Sequence, residues 1–311
     1  MDVLKVSWCI MTHDRIVEII AALKSINRVI SYAPENVEIE ILVLLNGTDE
    51  SLYNNFLDKV RNESFNTIIK ILRSTENLGV AQGRNFLYKN SYGDVLIFID
   101  DDAEIVLDST CFWTELSRSF SQNMRTRKVG IVAFRSIDIN GKDRIKEIPC
   151  KDPAKEQFVF HFIGVGHAIL RTAIVEHNFL YPDNLYYGME EYYLSYWIIN
   201  NGYSIFYNPN ICVLHKKSQK TRLNDTDYFI YLSSNKVYIA FLCFRSIIRF
   251  TFLIMWSIWL MKKTKFSLTA YIKFIKRLRE LLNSHNTKLC RFTCCNETLK
   301  YIKELGGNLY Y

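Results

Sequence analysis

The stretch LIFIDDDAEI, residues 96–105, drives an apolar run, Leu96 to Ile99, straight into three adjacent carboxylates, Asp100, Asp101 and Asp102. Like charges side by side repel and raise one another's pKa values. Solvent, helix N-termini, basic side chains or a bound cation must offset that repulsion. The run itself reads as a buried strand, 94–99, and the chain before it alternates in kind. LKVSWCI (4–10) has a strand pattern. Ile16, Ile19, Ile20, Leu23, Ile26 and Ile30 then recur at helical spacing, which predicts a helix over 15–30 capped by Thr12 or Asp14. EIEILVLLN (38–46) is a second strand, closed by the turn signal Asn46-Gly47-Thr48-Asp49. A short helix over 51–61 and a third strand, TIIKILR (67–73), come next. Asn77 and Gly79 open a helix over 80–90.

This rhythm predicts βαβ units and an α/β, Rossmann-like, mostly parallel sheet flanked by helices. Near-continuous apolar strands agree, because such sheets are covered on both faces. In open α/β sheets a ligand sits beyond the carboxyl ends of the strands. The three aspartates, Thr12-His13-Asp14 and Asn46-Gly47 all fall there.

Beyond 105 the pattern is mixed. GIVAFRS (130–136) reads as a strand, and 141–160 as a polar loop. GVGHAILRTAIVEH (164–177) reads as a Gly-rich bend running into a helix. Gly188-Met189-Glu190-Glu191 introduces a helix over 192–201, ended by Gly202. YSIFY (203–207) and ICVL (211–214) are short strands, the second leading into His215.

Residues 237–261 are almost wholly apolar but contain Arg245 and Arg249. The longest uncharged run, 250–261, falls short of the about 20 apolar residues a spanning helix needs. Two central arginines would add about 2.5–3.5 kcal/mol each on an insertion scale. Two readings remain for 237–265. One is a helix in a membrane interface, with Trp256 and Trp259 at the boundary and Lys262, Lys263 and Lys265 on anionic head groups. The other is a buried helix packed on the domain or on a second subunit, as in a homodimer.

The 311 residues, 49% hydrophobic, suffice for one large or two small domains. We divide them at 220: a catalytic unit, 1–220, in halves 1–105 and 106–220, then a C-terminal helical extension, 221–311. Net charge is +7, yet Lys216 to the end carries 18 Lys+Arg against 5 Asp+Glu, +13, which leaves −6 on 1–215. A basic tail on an acidic body suits an anionic surface. No nucleic-acid-binding signature is present. The eight cysteines lack paired spacing, Cys290, Cys294 and Cys295 make only a weak zinc pattern, and Met1 to Lys5 has no signal-peptide character. A cytoplasmic chain, peripheral at the inner face of the membrane, with reduced thiols is expected.

Carboxylates at a strand end suit a hard cation, Mn²⁺ or Mg²⁺, which takes oxygen ligands and bridges them to substrate phosphates. Arg84, in Gly83-Arg84-Asn85 beside the same sheet edge, has the fork that pairs with phosphate. Glu190 and Glu191 are a general-base candidate pair, or simply acids favoured in a first helical turn. His215 is a candidate metal or phosphate ligand, or a surface histidine.

Taken in order, these residues resemble the family 2 glycosyltransferases, nucleotide-sugar enzymes of the A-type (GT-A) fold. The resemblance covers about residues 4–220. It rests on Met11-Thr12-His13-Asp14-Arg15, Asn77-Leu78-Gly79 with Gly83-Arg84-Asn85, Gly93-Asp94-Val95 leading to Asp100-Asp101-Asp102, Glu190 to Ser195 closed by Gly202-Tyr203, and His215 with Ser218. The resemblance implies that Asp100 and Asp102 are the ends of a metal-binding Asp-x-Asp motif, with Asp102 the direct ligand. Asp101 would touch the donor's ribose or sugar. Thr12, Asp14, Asn77, Gly79 and Arg84 would hold the nucleotide, and His215 would sit near diphosphate and metal. Glu191 stands where the family has its catalytic aspartate, after Glu190. The acid that commonly reads the base is replaced by Asn46-Gly47, leaving Asn46 or Asp49 for that contact. The expected activity is metal-dependent, inverting transfer of a sugar from a nucleotide-sugar donor to a saccharide or lipid-linked acceptor in cell-envelope glycoconjugate synthesis. A peptide or protein acceptor and a non-catalytic scaffold on the same fold are the alternatives.

Overall fold

The computed structural model describes residues 3–106, 111–216 and 224–308. The chain opens as β1 (Leu4–Thr12), α1 (Ile16–Ile30), β2 (Val37–Asn46), α2 (Glu50–Arg61), β3 (Ile69–Ser74), α3 (Gly79–Asn90) and β4 (Val95–Asp100). Then follow β5 (Ala103–Ile105), α4 (Phe112–Ser121), β6 (Asn123–Met124), β7 (Arg127–Ile137), β8 (Gln157–Val159), β9 (Gly166–Leu170), α5 (Glu190–Asn200) and β10 (Ser204–His215). Five helices complete it: α6 (Asp225–Cys243), α7 (Ser246–Lys263), α8 (Leu268–Asn283), α9 (His285–Leu289) and α10 (Asn296–Glu304).

The sheet order is β3-β2-β1-β4-β9-β7-β10-β5, with β6 on β7 and β8 on β10. β3, β2, β1 and β4 are all parallel. Their side chains alternate between two cores, as a two-residue period demands. Val6, Trp8 and Ile10 join Ile41, Val43 and Ile97 under α1, while Cys9, Leu42, Leu44, Leu96 and Phe98 face the second core. This is why these strands read as unbroken apolar runs. The second half of the sheet is mixed. β9 runs antiparallel between β4 and β7, and β10 is parallel to β7.

Several sequence expectations need correction. Residues 164–177 form no helix. They make β9 and one 3₁₀ turn, Arg171–Ala173. Gly166-His167-Ala168-Ile169 is buried on both faces, and a short, fully buried strand shows no period that separates it from a helix. The 141–160 segment contains a 3₁₀ turn, Ile145–Glu147, and β8. The two strands expected around 203–214 are one, β10, with a bulge between Asn208 and Cys212. Neither Thr12 nor Asp14 caps α1, whose N-cap position is Arg15 with no side-chain cap. Thr12 lies inside β1 and faces the aspartates instead.

The apolar run 237–261 is also not one helix. It breaks at Phe244 and Arg245, both with extended backbone, into α6 and α7. α6 is interior: Val237, Tyr238, Ile239 and Ala240 are fully buried and share the second core with β4 and α5. α7 and α8 pack on α6 and on each other. Among the described residues, no helix is long and apolar enough to cross a membrane. Cys9, Cys150, Cys212, Cys243, Cys290, Cys294 and Cys295 are free thiols. Cys290 and Cys294 are buried, and Cys295 instead caps α10 by accepting from Thr298 N–H.

Candidate active site

β4 ends the apolar run at Asp100, and the turn into β5 sets Asp101 and Asp102 below it, both more than nine-tenths buried. Each aspartate meets a cation. Arg15, directly after the β1 terminus, donates through Nη1 to Asp101 at 2.8 Å and to Asp102 at 3.1 Å. Arg84 of α3 donates to Asp100 at 3.1 Å. His215, at the end of β10, places Nε2 3.2 Å from Asp102 Oδ1. Basic side chains thus offset the repulsion within the chain itself. Burial still drives Asp101 up to about 7, against the pull of Arg15 and of the Thr12 hydroxyl, which donates at 2.6 Å.

Asp100, Asp102 and His215 can each turn one ligand atom into a group spanning no more than 4.8 Å. Two carboxylates and an imidazole suit a divalent cation such as Mn²⁺, and carboxylate with water also suits Mg²⁺. His215 is oriented from behind by Glu147, whose Oε2 lies 2.7 Å from Nδ1. Burial alone would lower the imidazole's pKa. Its hydrogen bonds to Asp102 and Glu147 reverse that and hold it up at about 9. Glu147 in turn accepts from Ser136, and Arg144 donates to the His215 carbonyl.

Arg84 joins this group to the two glutamates. Its guanidinium is buried, donates to Glu190 Oε1 at 3.1 Å and to the Gly164 carbonyl at 3.1 Å, and lies 3.8 Å from Glu191. α5 begins abruptly here: Gly188 (φ +79°) and Met189 (φ +73°) are both left-handed, and Glu190 starts the helix. Burial raises the pKa of both glutamates, with Arg84 opposing. Glu190 is closed off at 2% exposure, and its second oxygen has no partner. The Glu191 side chain keeps 17% exposure. Gly164 makes this arrangement fit, since any Cβ there would collide with Glu191 Oε1 and the Arg84 guanidinium.

On the other side of β1, Asn46 is engaged within the protein. Its Oδ1 accepts from Leu78 N–H at 2.9 Å, and its Nδ2 reaches Asn77 Oδ1 at 3.3 Å. Asn77 accepts from Gly79 N–H, and Gly79 (φ +71°) packs against Tyr186. Asp49 caps α2. Asp14 differs: its Oδ1 is buried without a partner. Ser218 lies outside the described residues.

Four contributors were not singled out from sequence: Arg15 as the aspartates' counter-ion, Glu147, Gly164 and Lys236. Lys236 of α6 is buried with its ammonium 2.7 Å from the Tyr192 ring centroid, and His161 stacks on the same ring at 4.8 Å. Burial pushes Lys236 well below its ordinary range and His161 down to about 3. Arg15 alone left a signal, because it adjoins Thr12-His13-Asp14. The others come from remote segments.

Residues 7–110 match the family described as glycosyl transferase family 2. An uncharacterised protein of Haemophilus influenzae is 31% identical over 174 residues, 54% of this chain and 89% of that protein. The chain belongs to glycosyl transferase family 2, and is a glycosyltransferase. Solved structures share its fold at low identity. A crystal structure of GalNAc-T7 with UDP, GalNAc and Mn²⁺ aligns at TM-score 0.60 and 18% identity over 93% of this chain, which spans only 56% of that one. S. aureus TarS with UDP-GlcNAc aligns at 0.60 and 13% identity, over 99% of this chain and 89% of that one. The Pyrobaculum calidifontis mannosyltransferase PcManGT with GDP-Man and Mn²⁺ aligns at 0.54 and 12% identity, over 97% of this chain and 84% of that one.

Proposed function

We propose that this glycosyltransferase moves a sugar from a nucleotide diphosphate donor to a saccharide or lipid-linked acceptor with inversion at the anomeric carbon. A divalent cation would be held by Asp100, Asp102 and His215, and residues 1–220 would carry the chemistry. The carrying observation is that Arg84 bridges Asp100 and Glu190, 3.1 Å from each, so the acidic strand end and the glutamate pair form one site. A bound cation would neutralise charge on the departing diphosphate. Thr12, Asp14, Asn77 and Gly79 border the nucleotide side, where the orphaned Asp14 oxygen is left for the donor. Asp101 faces the donor's ribose or sugar.

Glu191 is the base, because it is the glutamate that opens to the cleft. Glu190 fixes Arg84. Glu191 takes the acceptor hydroxyl proton as that oxygen bonds to the anomeric carbon. The bond from that carbon to the diphosphate oxygen breaks on the opposite face, and the electron pair leaves with the diphosphate. Burial holds Glu191 above the usual carboxylate range, which moves its basicity towards working pH.

Glu191→Gln should cut transfer by about 10²–10⁴-fold, the usual span for a general base, while calorimetric binding of the donor nucleotide with Mn²⁺ is unchanged. Glu190→Gln should weaken nucleotide binding as well, through Arg84. Normal transfer by both variants would remove the base assignment. Titration of UDP, GDP and dTDP (TDP) with and without Mn²⁺, repeated on Asp102→Ala, tests the metal site and identifies the donor's nucleobase. An NMR spectrum of the product's anomeric centre tests inversion.

A further inference from the structure

The outer faces of α7 and α8 reverse the normal arrangement of a protein surface. On α7, Ile247, Phe250, Ile254 and Ile258 recur at three- and four-residue steps and form one stripe, from 46% exposed at Ile258 to 80% at Ile247. The opposite face of α7 is the buried one, with Phe252, Trp256 and Leu260 turned to the core. On α8, Leu268 and Ile272 are likewise outside, at 68% and 59%, while Phe274 and Leu278 are inside. Contiguous exposed apolar surface on this scale marks an interaction site. Between the two helices, Lys265 and Phe266 both adopt left-handed backbone (φ +51° and +61°), and Phe266 is 70% exposed. A non-glycine pair in that region is strained, and strain of this kind collects at functional segments. Here it thrusts an aromatic ring into solvent at the tip of the hairpin.

We infer that the α7–α8 hairpin is a docking surface for an anionic lipid bilayer, with Phe266 and the α7 stripe entering the interface. Charge selects this occupant. Residues 245–291 hold eleven Lys+Arg and one acid, Glu280. Lys262, Lys263 and Lys265 lie exposed at the same end as Phe266. An apolar face bordered by exposed lysines at its Phe266 end complements acyl chains beneath anionic head groups. A second copy of the same face would bring equal positive charge against it.

The surface is wired to the site. Arg277 of α8 donates to Ser234 and Asn235 of α6, and Asn235 donates to the carbonyls of Tyr187 and Gly188, immediately before the catalytic helix. A docked hairpin therefore holds the glutamates at a fixed height over the bilayer, where a lipid-linked acceptor would present its sugar. The docking itself does not depend on the transfer chemistry.

The test is co-sedimentation of the full chain with phosphatidylcholine vesicles, with and without phosphatidylglycerol, alongside its mass in solution by light scattering. The chain should pellet with the anionic vesicles only, and 0.5 M salt should release most of it. Ile254→Ser with Phe266→Ser should lower the bound fraction at least tenfold, with nucleotide binding intact because neither side chain touches the site. No pelleting, equal pelleting with neutral vesicles, or a dimer that the double variant dissociates would each overturn the inference. Lost transfer with intact vesicle binding would instead count against the proposed chemistry.

Discussion

The carboxyl edge of β4 and the outer face of α7–α8 are opposite departures from one rule. At the first, charges are buried: Asp101, Asp102, Arg84 and Glu190 are each at most 7% exposed. At the second, large apolar side chains are in water. Neither arrangement is what folding alone would select. In the first, every charge needs a partner inside the protein, so the parts are interdependent. In the second, no internal partner exists, so single residues are replaceable without cost to the fold. The contrast separates a site that must be built as a unit from a surface that acts by summed area and charge.

The comparison is sharpest where one cation serves several anions. Arg84→Met should leave Glu190 and Asp100 uncompensated and destabilise the fold by about 3–5 kcal/mol, as breaking buried pairs does. Chemical denaturation would show it, and a loss under 1 kcal/mol would mean that water already solvates the cluster. Gly164→Ala should cost about 1–3 kcal/mol, because the added methyl overpacks the glutamate and guanidinium. Nucleotide binding and stability should fall together in that variant.

A buried imidazole without an anionic partner shows the same dependence through pH. His177 is buried, stacked on Trp197, and held down at about 3 by burial. In the unfolded chain it titrates near 6.5. Stability from the neutral ring is complete above that value and declines as pH falls towards 3, because only the unfolded chain gains the proton. At pH 5 the loss from this one group is about 2 kcal/mol. His177→Phe should flatten that acid limb of the melting temperature. At the other extreme, Ile254→Ser should change stability by less than about 0.5 kcal/mol. A larger loss would place Ile254 in the core and end the contrast.

The legibility of the sequence follows the same division. β1 to β4 were readable because strands covered on both faces carry unbroken apolar runs. The aspartates were readable because a carboxylate triplet at such an end is conspicuous. β9 was not, since GHAIL is five residues long and buried on both faces, His167 included, so it carries no in–out alternation to distinguish strand from helix. The break at Phe244-Arg245 was hidden inside one apolar run, and only packing reveals that α6 is interior and α7 is not. Glu147 and Lys236 reach the site from 45 and 134 positions beyond Asp102, so only the folded chain brings them near it.

Asn235 carries one last implication, for how such a chain can be cut and joined. Its amide closes the backbone turn that delivers Glu190 and Glu191, although it belongs to α6, far beyond the family match at residues 7–110. A fragment trimmed at residue 220 would retain every acidic side chain of the site and lose the latch that aims two of them. A grafted C-terminal extension would have to bring its own amide to those two carbonyls. Modularity at the level of sequence thus stops short of modularity at the level of action.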